Sequence, residues 1–238
     1  MSKPTERQQV AMIIGASRGI GWETAKKFRA EGFQVAGTHR GSGVPDGVRG
    51  YEVDVRDRAM LRTAIADVAA AFGGLDVLVY NAGLAKQDLL IRLTDEDLQE
   101  VMEVNLIGAF TAVGAALLQM GKQRSGEILL VSSESSKTGI PGAASYTASK
   151  AGLEGLVKSA MWEAGPRGIK INLIAPGPTE TDMLAQVSED NRARLIEGSP
   201  LRRIAAPEEI AEAIFKLSSV PYMTGATIAV TGGEGLGF

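Results

Sequence analysis

Five consecutive apolar residues, Val10-Ala11-Met12-Ile13-Ile14, run without a break into Gly15-Ala16-Ser17-Arg18-Gly19-Ile20-Gly21. An uninterrupted apolar run of this kind suits a strand buried on both faces, as in parallel sheets covered by helices. The residues that follow, Trp22 to Glu31, repeat at helical spacing. Strand, glycine turn and helix in that order suit a dinucleotide pyrophosphate. Glycines let the backbone approach the phosphates, and the helix start offers unpaired N–H groups at the positive end of its dipole.

The rest of the chain repeats the alternation. Strands are predicted at Gln34–Thr38, Tyr51–Val53, Leu75–Tyr80, Glu127–Val131, Lys170–Ala175 and Ala226–Val230. Asp57 reads as the N-cap of a helix ending at Phe72, and Thr94-Asp95-Glu96-Asp97 starts one that continues to about Met120. Pro207-Glu208-Glu209 starts another, with proline in its first turn. The pattern predicts one α/β domain over residues 1–238: a doubly wound, seven-stranded parallel sheet with helices on both faces. Only residues 178–203 break the rhythm. Polar, charged and bounded by prolines, they read as a lid over a substrate at the carboxyl edge of the sheet.

Composition removes several function classes. A net charge of −3 gives no basic footprint for nucleic acid. With no cysteine there is no disulfide framework or thiolate chemistry, in keeping with a reducing compartment. The stretch Met1–Gln9 is polar, and no apolar run approaches the length of a membrane span, so a soluble cytoplasmic protein is predicted. His39 is the only histidine, which leaves no histidine triad and no metal cluster.

Two stretches speak to a cofactor and to chemistry. After the second strand comes His39-Arg40, with no acid before Asp46; Arg40 and Arg18 suit a 2′-phosphate, so NADPH is expected over NADH. Asp54-Val55 ends the third strand and Asn81-Ala82-Gly83 closes the fourth, both where ligands gather in such sheets. In Ser145-Tyr146-Thr147-Ala148-Ser149-Lys150, a helix would set Tyr146 and Lys150 one turn apart on one face. A phenol of pKa about 10 exchanges protons poorly at neutral pH, and lowering it two units takes about 3 kcal/mol, within reach of one nearby cation in a poorly solvated site. The serine cluster Ser132 to Ser136 ends the fifth strand and is either a solvated loop or a source of one positioned hydroxyl. Asn105, between Val104 and Leu106, must be hydrogen-bonded if buried. It either satisfies backbone groups or holds open a helix distortion that anchors a water chain.

Taken together, Gly15-x-x-x-Gly19-Ile20-Gly21, Asp54, Asn81-Ala82-Gly83, Asn105, Ser133, Tyr146-x-x-x-Lys150 and Pro176-Gly177 make the chain resemble the classical short-chain dehydrogenase/reductases over its full length. The resemblance implies that Ser133 binds the substrate carbonyl oxygen and Tyr146 transfers the proton. Lys150 would tune the tyrosine and hold the nicotinamide ribose, while Asn105 would seat a relay water. It also implies cofactor contacts from Gly15, Ser17, Arg18, Gly19, Ile20 and Gly21, from Asp54, Val55, Asn81, Ala82 and Gly83, and from Tyr146 and Lys150. Pro176, Gly177, Thr179 and Thr181 complete that set. Within the family the chain is similar to the 3-oxoacyl-[acyl-carrier-protein] reductases. The stretches that carry this are Asp88 to Thr94, Thr38 to Gly43 and the tail Gly232-Gly233-Glu234-Gly235-Leu236-Gly237. That likeness implies a 3-oxoacyl thioester substrate in fatty acid biosynthesis, a carrier protein met by Arg124 and Arg167, and a homotetramer. Other ketones (a polyketide intermediate, a sugar, an alicyclic ketone) are the alternative, and a catalytically silent NADP-binding regulator is the rival from another class. Three departures stand out: Ile14 where threonine is usual, Ala143 and Ser145 for glutamine and asparagine, and Thr231 for aspartate.

Overall fold

The computed structural model describes residues 7–235, so Met1 to Glu6 of the polar N-terminus and Leu236-Gly237 of the tail lie outside the described residues. Successive side chains along a strand point to opposite faces, and that alternation builds two cores. Met12, Ile14, Leu78, Tyr80, Ile128 and Leu130 face one side. Ala11, Ile13, Val77, Val79, Leu129 and Val131 face the other. The strands are β1 (Val10–Ile14), β2 (Gln34–His39), β3 (Arg49–Glu52), β4 (Val77–Tyr80), β5 (Gly126–Val131), β6 (Ile169–Pro176) and β7 (Thr227–Val230). All pair in parallel, in the order β3-β2-β1-β4-β5-β6-β7. The sheet therefore reverses direction between β1 and β4, and the crevice at that switch point is where this fold holds its ligand.

Helices cover both faces. α1 (Gly19–Ala30) packs beside a helix at residues 207–218, where Phe28, Phe33 and Phe215 meet edge-to-face with centroids 5.1–6.2 Å apart. α2 (Arg58–Phe72) opens on Asp57, whose carboxylate accepts from the Met60 N–H at 2.9 Å, and stops at Gly73 in the left-handed region. α3 (Asp95–Met102) opens on a capping box between Thr94 and Asp97. A π-turn (Glu103–Ile107) joins it to α4 (Gly108–Gln123). The short α5 (Ser135–Thr138), the long α6 (Ala144–Ala164), α7 (Glu189–Gly198) and α8 (Pro207–Ser218) complete the set.

Two expectations need correction. The helical stretch Asp95–Gln123 is long and apolar enough to cross a membrane, an 18-residue window within it reaching mean hydropathy 1.8, against the expectation that no run approaches a membrane span. Ala112, Val113, Ala116 and Met120 spend that apolarity against the sheet, so it is a core helix. Residues 178–203 are also less irregular than their composition suggests. Ser188 caps α7 by accepting from the Asn191 N–H, with Glu189 and Asp190 in the first turn.

Candidate active site

The glycine turn is fixed from three sides. The Gly15 N–H donates to the Thr38 hydroxyl at 2.9 Å, the Ala16 N–H donates to the Thr38 carbonyl at 2.9 Å, and the Asn81 amide donates to the Gly15 carbonyl at 2.9 Å. Thr38, arriving from β2, thus supplies the hydroxyl brace that Ile14 lacks. A Cβ on Gly21 would lie 1.9 Å from the Gly15 carbonyl oxygen, so only glycine lets α1 start this close to the turn. No side chain caps α1, and its first N–H groups stay available to an anion.

In front of this turn lies a groove of about 510 Å³. Of the expected cofactor contacts, Gly15, Ser17, Arg18, Arg40, Asp54, Val55, Asn81, Ala82 and Gly83 line it. Gly19, Ile20 and Gly21 begin α1 behind them. Thr38, Leu84 and Asp182 line the groove too and were not singled out in the sequence. Arg56 grips Asp54 at 2.6 Å, which is the main reason the Asp54 carboxyl sits below the usual range. A glycine turn, a bare helix start and two arginines in one groove fit a phosphorylated dinucleotide.

Ser133 leaves the carboxyl end of β5, and Tyr146 and Lys150 project from the first turns of α6. The Lys150 ammonium lies 5.7 Å from the Tyr146 ring centroid and donates to the Val131 carbonyl at 2.7 Å. Only 3% of Lys150 is exposed, and burial pulls its pKa down to about 8. The Tyr146 phenol moves the other way. Burial pushes its pKa up, and hydrogen bonding with Ser133 only partly offsets that. The lowering expected from the lysine is therefore not what the protein alone achieves: at 5.7 Å from the ring, and itself pushed toward its neutral form by burial, Lys150 does not offset the desolvation of the phenol. Tyr146 as a whole residue is half-buried, and it is the phenol end that burial acts on.

Asn105 is fully buried at the π-turn. Its amide nitrogen donates to the Leu84 carbonyl and the Ser149 hydroxyl, and its oxygen accepts from the Leu84 N–H, all at 2.9 Å. Both readings of this residue hold in part, because it satisfies backbone and it sits on a distortion. The Gly108 N–H bonds to the Glu103 carbonyl, five residues back, which leaves the Val104 carbonyl without its amide. The Tyr80 hydroxyl takes it over at 2.5 Å. A Cβ on Gly108 would lie 2.3 Å from that hydroxyl, so the glycine and tyrosine belong together. Tyr80, Ser149 and Leu84 went unnoticed in the sequence. A lone tyrosine ending an all-apolar strand was the available signal for Tyr80.

β6 ends at Pro176, and the Gly177 N–H donates to the Val230 carbonyl at 3.0 Å. Thr179 and Thr181 follow as a short ladder, Thr179 donating to the Gly177 carbonyl at 3.0 Å and Thr181 to the Thr179 carbonyl at 3.3 Å. Ala143 and Ser145 are both 3% exposed, and neither lines the groove. Arg124 and Arg167 stand elsewhere. They precede β5 and β6, at the far end of α6 from Tyr146, and a helix of 21 residues spans about 30 Å. Arg124 donates to the Pro166 carbonyl and Arg167 to the Glu163 carbonyl, each at 3.1 Å, so the two are neighbours.

Fold and site together define an oxidoreductase built around a dinucleotide groove. A family model described as Enoyl-(Acyl carrier protein) reductase matches residues 15–234. The chain is 39% identical over 237 residues to the 3-oxoacyl-[acyl-carrier-protein] reductase MabA of Mycobacterium avium, covering 99% of this chain and 93% of that protein. It is 37% identical over 235 residues to the 3-oxoacyl-[acyl-carrier-protein] reductase FabG of Escherichia coli, covering 94% and 96%. A solved structure described as ElxO with NADP bound superposes with a TM-score of 0.88 at 28% identity, covering 95% of this chain and 98% of that one. The chain belongs to the short-chain dehydrogenase/reductase family.

Proposed function

We propose that the protein is an NADPH-dependent ketoreductase that reduces a 3-oxoacyl group, carried as a thioester on an acyl carrier protein, to the 3-hydroxyacyl form in the cytoplasm. The observation that carries this reading is the convergence of Ser133, Tyr146 and Lys150 beside a groove lined by Arg18 and Arg40. The cofactor would supply the hydride; the chain does the rest. Gly15 to Gly21 and the start of α1 would hold the pyrophosphate, and Arg18 and Arg40 the 2′-phosphate. Ser133 and Tyr146 would donate hydrogen bonds to the carbonyl oxygen where negative charge develops, and Tyr146 would then give up its proton there. Two hydroxyls converging on one oxygen suit carbonyl reduction. This favours the activity named for the MabA and FabG relatives over the enoyl reduction in the family description.

Partner contacts belong to the same proposal. An exposed stripe of Phe110, Gly114 and Leu118 on α4 runs beside Gly155 and Trp162 on α6, and space is open over both glycines. Self-pairing of this stripe about a two-fold axis would form one dimer interface, to which a second two-fold contact would have to be added in the homotetramer common among such enzymes. It would also bring Arg124 and Arg167 of one copy toward the substrate entrance of the other, since within one copy they lie too far from Tyr146.

Tyr146→Phe is expected to cut turnover by about 10²–10⁴-fold while NADPH binding, followed by its fluorescence, stays unchanged. Retained turnover would sink the assignment. Arg124→Glu combined with Arg167→Glu should slow reduction of carrier-bound substrate more than of a small thioester analogue. Equal losses on the two substrates would count against carrier docking at these arginines.

A further inference from the structure

Arg18 has a second partner. Its guanidinium lies 3.2 Å from Asp182 Oδ2, and the two side chains keep 70% and 69% of their exposure. Asp182 sits at the start of residues 178–203, next to Thr181, whose methyl group would lie 3.1 Å from a Cβ on Gly19. Arg18 and Asp182 both line the groove, so this ion pair closes across its phosphate end.

The segment that Asp182 leads is weakly held. α7 has no buried side chain, and an isolated helix of its 10 residues is marginal in water. Backbone bonds secure its two ends. The Glu180 N–H donates to the Ala205 carbonyl at 2.9 Å and the Ala205 N–H to the Pro178 carbonyl at 3.0 Å. Between them, Arg192 pairs with Glu180. Among the described residues, the Arg18–Asp182 contact is the only ion pair joining this segment to the glycine turn.

We propose that Asp182 competes with a cofactor phosphate for Arg18, so that binding of the cofactor releases the start of the α7 segment from the glycine turn. The inference rests on the cofactor reading above and adds a residue to it. Asp182 holds Arg18 through a single contact from one guanidinium nitrogen, whereas a phosphate can take two N–H groups of the same guanidinium at once, so the phosphate wins the arginine. Coupling of this kind is reciprocal: a segment held by Arg18 weakens the cofactor by the same factor by which the cofactor loosens the segment.

Binding of NADPH and of NADH to Asp182→Asn, followed by ligand fluorescence, tests the competition without any ketone. An exposed pair of this kind is worth about two- to five-fold, so the variant should bind NADPH tighter by about that factor, and the gain should shrink with added salt. A gain for NADPH alone assigns the 2′-phosphate as the competitor; an equal gain for both cofactors assigns the pyrophosphate. Hydrogen exchange gives the second readout. Amides of Glu189–Gly198 should exchange faster in Asp182→Asn than in the wild type without cofactor, and the two proteins should match once NADPH is bound. Unchanged or weaker NADPH binding in both Asp182→Asn and Asp182→Ser overturns the proposal. Because no turnover is measured, this failure is separate from loss of ketoreductase activity in Tyr146→Phe.

Discussion

The two ends of β5 bury a charge each and treat it in opposite ways. At the amino end, Glu127 lies with Lys170 Nζ 2.9 Å from its Oε2 and the Asn172 amide donating to its Oε1 at 3.0 Å. Asn172 is itself used up, donating to the Met223 carbonyl at 2.8 Å and accepting from the Ala226 N–H at 3.0 Å. Burial still pushes the Glu127 carboxyl up, but its two partners pull it back. At the carboxyl end, Lys150 is buried on a single carbonyl with no carboxylate beside it, and its pKa falls to about 8. One end is an ion pair and amide network that knits β5 to β6, with Glu127 Oε2 held by the charge of Lys170 and not by a hydrogen bond. The other is a charge kept short of partners, as a group waiting for a ribose and a phenolate would be. An opposite charge beside the buried group at one end and none beside it at the other, more than burial itself, separates the two ends.

Lys150→Met breaks this contrast most directly. Turnover should fall by at least about 10²-fold, since the cation beside Tyr146 is gone. Stability at pH 7 should nonetheless rise by about 1–2 kcal/mol, the relief of a buried charge less the lost hydrogen bond. Denaturant midpoints on the two proteins measure it. A drop in stability would mean that the working end is as well satisfied as the structural one.

Lys170→Met is the matching change at the amino end. It leaves Glu127 buried without its cation and should destabilise the protein by about 2 kcal/mol. That figure is discounted from the roughly 3–5 kcal/mol of a fully buried pair because 24% of the Lys170 side chain is exposed. kcat should stay near the wild-type value, because the site lies at the other end of the sheet. A fall in kcat with unchanged stability would reverse the assignment of the two ends.

The same division governs what was legible in the sequence. Strands, glycine turn and capped helices announce themselves through local pattern, so Val10–Ile14, Asp57 and Thr94 could be placed within a residue or two. Ser133, Tyr146 and Lys150, the proposed catalytic residues, were legible as a spaced set, and they lie where β5 ends and α6 begins. What bracing and gating add is set by contacts distant in sequence. Thr38 reaches the Gly15 N–H across 23 residues, Tyr80 reaches Val104 across 24, and Arg18 meets Asp182 across 164. No periodicity reports such pairs. α7 was different: Ser188 followed by Glu189-Asp190 is a local capping signal, hidden by a polar composition that resembles loop. The expected pKa of Tyr146 went astray for a further reason. Spacing gives the distance to a cation but not the desolvation that opposes it.

The smallest effect separates the two ends by pH. Lys150 has a folded pKa of about 8 against 10.5 when exposed, so below pH 8 it is charged in both states and the cost of burying it is fully present. Between pH 8 and 10.5 the unfolded chain holds the proton that the folded one has released, and stability from this group rises with pH. The stabilising advantage of Lys150→Met should therefore be constant from pH 6 to about 8 and shrink progressively toward about pH 10. Lys170→Met should show no such convergence with the wild type, because both proteins keep the buried Lys150 charge and its pH dependence. Thermal melts of the three proteins at half-unit pH steps decide it. An advantage for Lys150→Met that stays flat across the window would place the Lys150 pKa near its exposed value. The working end of β5 would then be far wetter than its burial implies.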